Sequence, residues 1–403
     1  MSKLDELLRE LCPDGVEYKK LGEIATISRG GNFQKKDFLT EGVPCIHYGQ
    51  IYTKYGLFAD KTFTFISEEC AKKQKMARPN DIVMAVTSEN IEDVCKCLAW
   101  LGDEPVAVSG HSAIIHHNQN AKYLVYYFHS QMFFAQKRKL AHGTKVIEVT
   151  PDALVDIALP VPPIEIQREI VRILDNFTNL TAELTKELTD RKVQYAYYRN
   201  KFLYFDESSA SLKSIGDICN VVVGGEPPAD CIKGESKDSS HMFPVWGNGK
   251  EAYGYSGTYK IDRDAVVISS IGANTGAVYY RKAFFTPIIR LKVVMPKDNQ
   301  LSSRFLFHVL SATAIKSKSS SVPNMNANEI KAIKIPVPPL DVQNRIVNVL
   351  DNFEKICSDL NIGLPAEIEA RQKQYEYYRD KLLTFAETGN TILNGTERNG
   401  TER

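Results

Sequence analysis

From Ile170 onward, apolar residues recur in steps of four and three: Ile170, Leu174, Phe177, Thr181, Leu184, Leu188, Arg191, Tyr195, Tyr198, Phe202 and Phe205, with only Thr181 and Arg191 interrupting. A stripe of that period over about five heptads is the seam of a coiled coil. It predicts one helix from about residue 164 to 203, a rod of roughly 60 Å. Proline is tolerated in a first helical turn and nowhere deeper, so Pro162-Pro163 places the start. Glu165 and Glu169 follow where the helix dipole favours acids. The pattern then returns through Ile346, Leu350, Phe353, Cys357 and Leu360. It takes an extra step of four through Leu364 and Ile368, and resumes at Arg371, Tyr375, Tyr378, Leu382 and Phe385. Four residues are about one turn, so the facing side is kept, while Gly363 and Pro365 predict a kink or short break.

The second stripe is a second copy of the first. Leu159 to Phe177 (LPVPPIEIQREIVRILDNF) and Ile335 to Phe353 (IPVPPLDVQNRIVNVLDNF) share 11 of 19 residues; Arg191 to Phe205 and Arg371 to Phe385 share 9 of 15. Upstream the echo is fainter but in order: Leu21-Gly22-Glu23-Ile24 with Ile215-Gly216-Asp217-Ile218, Val43-Pro44 with Phe243-Pro244, Asp81-Ile82-Val83 with Asp264-Ala265-Val266. Each copy is a variable globular head followed by a well-matched rod.

Within the heads, β-branched runs at Asp81–Val86, Ala113–Ile115, Ala265–Ser269 and Pro287–Val294 read as strands, separated by Gly, Pro and Asn clusters at 28–32, 224–229 and 247–257. Tyr123–Lys139 and Ser302–Ala314 read as helices. The expected class is α/β (α+β): two heads joined by two long antiparallel coiled-coil helices with a pseudo-two-fold internal repeat. The expected segments are a first head with a short N-terminal helix at 1–157, a first rod at 158–207, a second head at 208–333, a second rod at 334–388 and a disordered tail at 389–403.

Composition removes alternatives. The 403 residues carry 50 Lys+Arg against 49 Asp+Glu, a net charge of +1, so any polyanion must be bound by local patches. No stretch approaches the roughly 20 apolar residues of a membrane span, and Met1 to Leu11 is charged and amphipathic; a cytosolic protein is expected. The eight cysteines, Cys12, Cys45, Cys70, Cys95, Cys97, Cys219, Cys231 and Cys357, are scattered without a C-x-x-C clip and read as reduced, packed thiols. There is no G-x-x-x-x-G-K-[ST], no H-E-x-x-H, and no Asn/Asp-Pro-Pro-Tyr/Phe tetrapeptide of adenine methyltransferases. Gly247-x-Gly249-x-x-Ala252 lacks a βαβ setting, and the histidines show no metal spacing. Neither an enzyme nor a metal or cofactor site is expected in this chain.

Antiparallel duplicated rods place two heads about a pseudo-two-fold axis, as duplex DNA has through its backbone, and a rod of roughly 60 Å spans about 17 base pairs. Heads so different in sequence predict two different half-sites around an unread spacer, with avidity from the rigid link. The other reading open to the residues is a non-DNA scaffold carrying two ligand-binding heads.

A variable head, PxPPxxxQxxIVxxLDNF, a long helix and QYxYYRxKLL, all repeated, resemble the specificity subunit of type I restriction-modification systems over nearly the whole chain. Thr181-Ala182-Glu183-Leu184, followed by the degenerate Thr185-Lys186-Glu187-Leu188, looks like the unit whose copy number sets spacer length in some members. The resemblance implies two target-recognition domains reading a split double-stranded DNA site. It implies docking of two modification (methyltransferase) subunits on the helical regions, and of restriction (endonuclease/translocase) subunits. S-adenosylmethionine, ATP and Mg would then belong to the partners. The stretch at Asn361 to Pro365 makes that docking symmetry approximate.

The DNA-binding candidates lie in basic or polar segments rich in glycine, because Lys and Arg hold phosphates while Arg, Asn and Gln make bidentate base contacts. In the first head they are Arg29, Asn32, Gln34, Lys35, Lys36, Lys72, Lys73, Lys75, Arg78, Lys137, Arg138 and Lys145. In the second they are Asn248, Lys250, Ser270, Asn274, Lys316, Lys318, Asn324 and Asn326. The second head has 15 Lys+Arg against 10 Asp+Glu over 208–333; the first has 17 against 16 over 15–157, so only a one-sided arrangement there attracts phosphate. The coiled-coil and partner-docking candidates are Leu174, Phe177, Leu184, Leu188, Tyr195, Tyr198, Leu350, Phe353, Leu360, Tyr375, Tyr378 and Leu382. Heptad spacing makes the tyrosine pairs helix packing before base stacking.

Overall fold

A computed structural model describes residues 2–205, 210–235, 241–272, 274–313, 325–359 and 361–385. The chain divides into two compact units: residues 1–183 with 368–403, and residues 184–367. The first rod is one helix, Ile164–Phe202. The second is two, Leu340–Ser358 and Leu364–Leu383, interrupted where the extra four residues fall. Gly363 is required at the break, since a Cβ there would lie 2.5 Å from the Lys355 carbonyl oxygen and 2.7 Å from that of Asp359. Leu360 and the tail lie outside the described residues.

Each unit pairs the beginning of one rod with the end of the other, the order of antiparallel helices. In the first, Ile166, Ile170 and Leu174 share a buried core with Tyr375, Leu382 and Phe385, and Phe177 stacks on Tyr378 at 5.4 Å between ring centroids. In the second, Ile346 and Leu350 pack with Tyr195, Phe202 and Phe205, and Tyr198 stacks on Phe353 at 5.9 Å. The Phe of each LDNF motif thus meets the last Tyr of the other copy's QYxYY. Leu184 and Leu188 lie half-buried on the same stripe.

The two heads share one plan. Entry and exit strands pair antiparallel at each base, Tyr18–Lys20 with Ala158–Pro160 and Ser211–Ser214 with Lys334–Val337. In the first head, one sheet runs 25–29, 112–117, 82–85, 97–100, 58–59 and the other 64–66, 43–46, 106–108, 75–77. In the second, the sheets run 219–223, 292–296, 265–268, 278–281 and 232–233, 254–256, 243–246, 286–287. In both, the strand that begins X-Pro pairs parallel with the strand entering the corner described below (Cys45 opposite Ala107, Val245 opposite Thr286). The central strand is apolar throughout because both faces are covered. Ile82 and Met84 face the helices while Val83 and Ala85 face the other sheet, as do Val266 and Ile268 against Ala265 and Val267 in the second head.

Two expected elements differ. The window Tyr123–Lys139 is two helices, Ala121–Phe128 and Gln131–Leu140, because Ser130 caps the second through its hydroxyl. The run Pro287–Val294 is two strand segments separated by a turn at Ile288–Leu291.

The repeated motif residues fasten rod to head. Gln167 and Gln343 are fully buried. Their side-chain amides donate to Pro162 O and Pro338 O, both at 2.8 Å, and their carbonyls accept the N–H of Asn120 at 3.0 Å and of Ser302 at 2.9 Å. Those two residues are the N-caps of the head helices. About two turns further along each rod, Asp175 accepts from Lys122 and Tyr126, both at 2.7 Å; Asp351 accepts from Arg304 at 2.8 Å and His308 at 2.7 Å.

Candidate nucleic-acid interface

Each head ends at a tight corner between its two sheets, at 109–112 in the first and 288–291 in the second. A Gly-Gly pair crosses each corner at backbone contact. Gly30 N donates to Ser112 O at 2.9 Å and Gly224 N to Leu291 O at 2.7 Å. A Cβ on Gly30 would lie 2.3 Å from Ser109 O, and one on Gly224 2.8 Å from Ile288 N, so no larger residue passes. Ser112 N also donates to Ser109 O, and Leu291 N to Ile288 O. The corners are therefore equivalent, with Gly110-His111 in the first head standing where Ile289-Arg290 stand in the second.

In the first head the close crossing gathers two of the predicted basic segments. Gly31 lies so near Gln74 that a Cβ would sit 2.9 Å from that residue's Cα. Asn32, Gln34, Lys35 and Lys36 therefore emerge beside Lys72, Lys73 and Lys75, all exposed, as is Arg78. Behind them runs an aromatic row: Phe38 against His47 at 5.6 Å, His47 against Tyr48 at 4.6 Å, Tyr48 against His111 at 4.9 Å. Burial, with Lys35 and His111 nearby, holds the His47 imidazole below its ordinary pKa. Arg29 is paired with Glu148, and the loop bearing Lys145 closes on that residue through His142 N to Glu148 O at 3.0 Å. Arg138 is exposed on its helix.

Lys137 is a correction. It is buried, and its ammonium donates to Glu92 O at 2.8 Å and Val94 O at 2.6 Å; the amphipathic helix turns it inward onto the strand loop.

In the second head, Asn248, Ser270 and Asn274 do converge, though to shape the corner. Asn248 Oδ1 accepts Ser270 N at 2.8 Å, its Nδ2 donates to Ile289 O at 2.6 Å, and Asn274 Nδ2 reaches Asn248 O at 3.5 Å. Ser270 is a second correction: it is fully buried, and its hydroxyl donates to Arg290 O at 2.7 Å. Asn326 caps a short helix by accepting Glu329 N at 2.9 Å, so its carbonyl is occupied. Lys250 is exposed. Lys316, Lys318 and Asn324 lie outside the described residues.

Composition alone did not single out several residues at these corners. The Arg281 guanidinium lies 3.5 Å over the Trp246 ring and donates to Gly249 O and Lys250 O, pinning the Lys250 loop. Lys292 is buried beneath the corner, its ammonium on Ser270 Oγ at 3.2 Å and Arg290 O at 2.8 Å. Tyr48, His111, Ile289 and Arg290 complete the set. The signal that could have found them is the alignment of Val43-Pro44-x4-Gly49 with Phe243-Pro244-x4-Gly249 and of Gly30-Gly31 with Gly224-Gly225.

Among the described residues, His308, Asp351 and Glu354 form the group of potential metal ligands, within 4.8 Å of one another. Arg304 already occupies it, bonded to both carboxylates, and the arrangement is the rod clamp.

Two heads of one topology, each with a glycine-tightened corner and each fastened to a repeated rod, define an internally duplicated two-headed protein. The pattern of the family described as the type I restriction modification DNA specificity domain matches residues 13–191 and again 209–370, and the chain belongs to that family. A type I restriction enzyme specificity subunit of Escherichia coli is 37% identical over 248 residues, 56% of this chain and 61% of its own, so this chain spans about three fifths of that relative. A Mycoplasma pneumoniae chain described as a type I specificity subunit is 33% identical over 287 residues, 66% of this chain and 83% of its own. The crystal structure of a type I restriction-modification S subunit from M. genitalium has a TM-score of 0.57 at 15% identity, covering 92% of this chain and 96% of that one. A chain from a structural study of complex assembly and conformational transition in the type I system has a TM-score of 0.62 at 16% identity, covering 92% and 98%. These two likenesses are of fold.

Proposed function

We propose that the chain is the non-catalytic sequence-specificity subunit of a type I restriction-modification complex. Each head reads one half of an asymmetric, bipartite double-stranded DNA site; the rods set the spacer and dock two modification subunits, and restriction subunits complete the nuclease. The observation that carries this is the pair of equivalent corners, closed by the same glycine crossing and different in their outward side chains, on a chain of this family. One scaffold with two side-chain sets reads two different sequences. Methyl transfer and cleavage fall to the partners, and the complex works in the cytoplasm. The recognition domains are assigned to 1–157 and 208–333 and the helical regions to 158–207 and 334–388, with a tail at 389–403. No helix among the described residues is long and apolar enough to cross a membrane.

The test is co-expression with the cognate modification subunit and sequencing of the methylome. A two-part motif with unlike halves and an unread spacer is expected. A single contiguous motif, or methylation unchanged after removal of one head, refutes the reading.

A further inference from the structure

The second head's corner carries an expense that the first head's corner does without. Ile289 and Arg290 both adopt left-handed backbone, φ +52° and +58°. That region is disfavoured for any side chain, and for a β-branched residue it is a genuine outlier. Chain reversal does not require it, because the first head closes its corner with the equivalent Gly30 N–Ser112 O and Ser112 N–Ser109 O bonds with neither Gly110 nor His111 at positive φ.

The surroundings hold the strained pair from all sides. Ile289 N donates to Gly225 O at 2.9 Å and Arg290 N to Gly224 O at 3.1 Å. Ile289 O accepts the Asn248 amide; Arg290 O accepts both the Ser270 hydroxyl and the Lys292 ammonium. Three polar side chains, two of them in the buried interior, are thus committed to two backbone carbonyls. With the backbone satisfied, only the side chains face outward. Ile289 is 43% exposed, and the exposed Arg290 guanidinium takes no hydrogen bond or ion pair with a described residue.

We propose that Ile289-Arg290 is the base-reading tip of the second head, with Arg290 contacting a guanine edge in the major groove and Lys292 as a positioning residue. A guanidinium projecting from a fixed backbone can match guanine O6 and N7 bidentately, and an adjacent aliphatic group suits a thymine methyl. Asn248, Ser270 and Lys292 preorganise the backbone from which the fork projects, which is where strain retained in a fold serves recognition. This rests on the DNA reading above.

The experiment uses the full chain assembled with its modification subunit. The methylomes of wild type, Arg290→Ala, Arg290→Lys and Ile289→Gly are compared, with thermal melting of each complex. Arg290→Ala and Arg290→Lys should both relax one guanine of the second half-site, by about fivefold or more in preference for that base, leaving the first half-site and spacer unchanged. Ile289→Gly should melt no lower than wild type, since glycine accepts positive φ, yet also blur the second half-site. Retention of the full second half-site by Arg290→Ala overturns the tip. So does methylation that falls uniformly with no base relaxed, which marks a phosphate contact. A wild-type motif that is not bipartite overturns the underlying DNA reading instead.

Discussion

At the scale of single residues, the repeated glutamines show how a motif earns its place. Gln167 and Gln343 each bond both ends of a buried amide to backbone. Replacing either by alanine should cost about 1–3 kcal/mol, the penalty for stranded buried polar groups, measured by urea denaturation. Gly363→Ala should also destabilise, because its Cβ meets two carbonyl oxygens. Protonation gives a third expectation. Burial pushes His117 and His129 down to about 4 from an ordinary value of 6.5. Between those values the unfolded chain takes up protons that the native chain refuses, so stability falls as pH drops from 6.5 toward 4; unchanged denaturation midpoints across that interval would contradict it. The glutamines were legible in the sequence as repeated letters. Their role was not, because Asn120 and Ser302 lie some forty residues away in the chain and no spacing rule joins them.

At the scale of elements, the rods follow directly from the periodic stripe. Every described stripe position is buried or half-buried. The heptad period needs no tertiary information, since it states which residues share a face. Inserting one Thr-Ala-Glu-Leu unit after Leu184 should lengthen the first rod by about 6 Å and keep its face nearly in register. The preferred DNA spacer should then grow by about one or two base pairs, with both half-sites unchanged, as read from the methylome; changed half-site bases would refute the ruler. Strands were legible where apolar runs are covered on both faces, as at Ile82–Ala85 and Ala265–Ile268. The turn at Ile288–Leu291 was not, because its isoleucines imitate a strand and only the Gly224-Gly225 crossing forces the chain to reverse there.

At the scale of the whole molecule, the two units cut across the linear order, and the first is completed by residues from the far end of the chain. Removing 361–403 takes Tyr375, Leu382, Leu383 and Phe385 from its core. At roughly 1.5–3 kcal/mol for each buried side chain, that approaches the whole stability of a domain, about 5–15 kcal/mol. Hydrogen exchange should therefore show protection lost at 166–177, in the first unit, while 340–358 stays protected; the reverse would contradict the exchange of halves. The balanced charge, 50 basic against 49 acidic residues, coexists with a one-sided array at Asn32–Lys36 and Lys72–Lys75, because folding sorts by surface what composition averages. The sequence by itself determined the duplication, the rods and the family, since each is a pattern along the chain or an identity between two stretches of it. Only the tertiary structure decided which candidates face solvent. It buried Lys137 and Ser270, gave Asn248 a scaffolding role, and brought Ile289-Arg290 to the surface, because burial and backbone strain arise from contacts between residues that are distant in sequence.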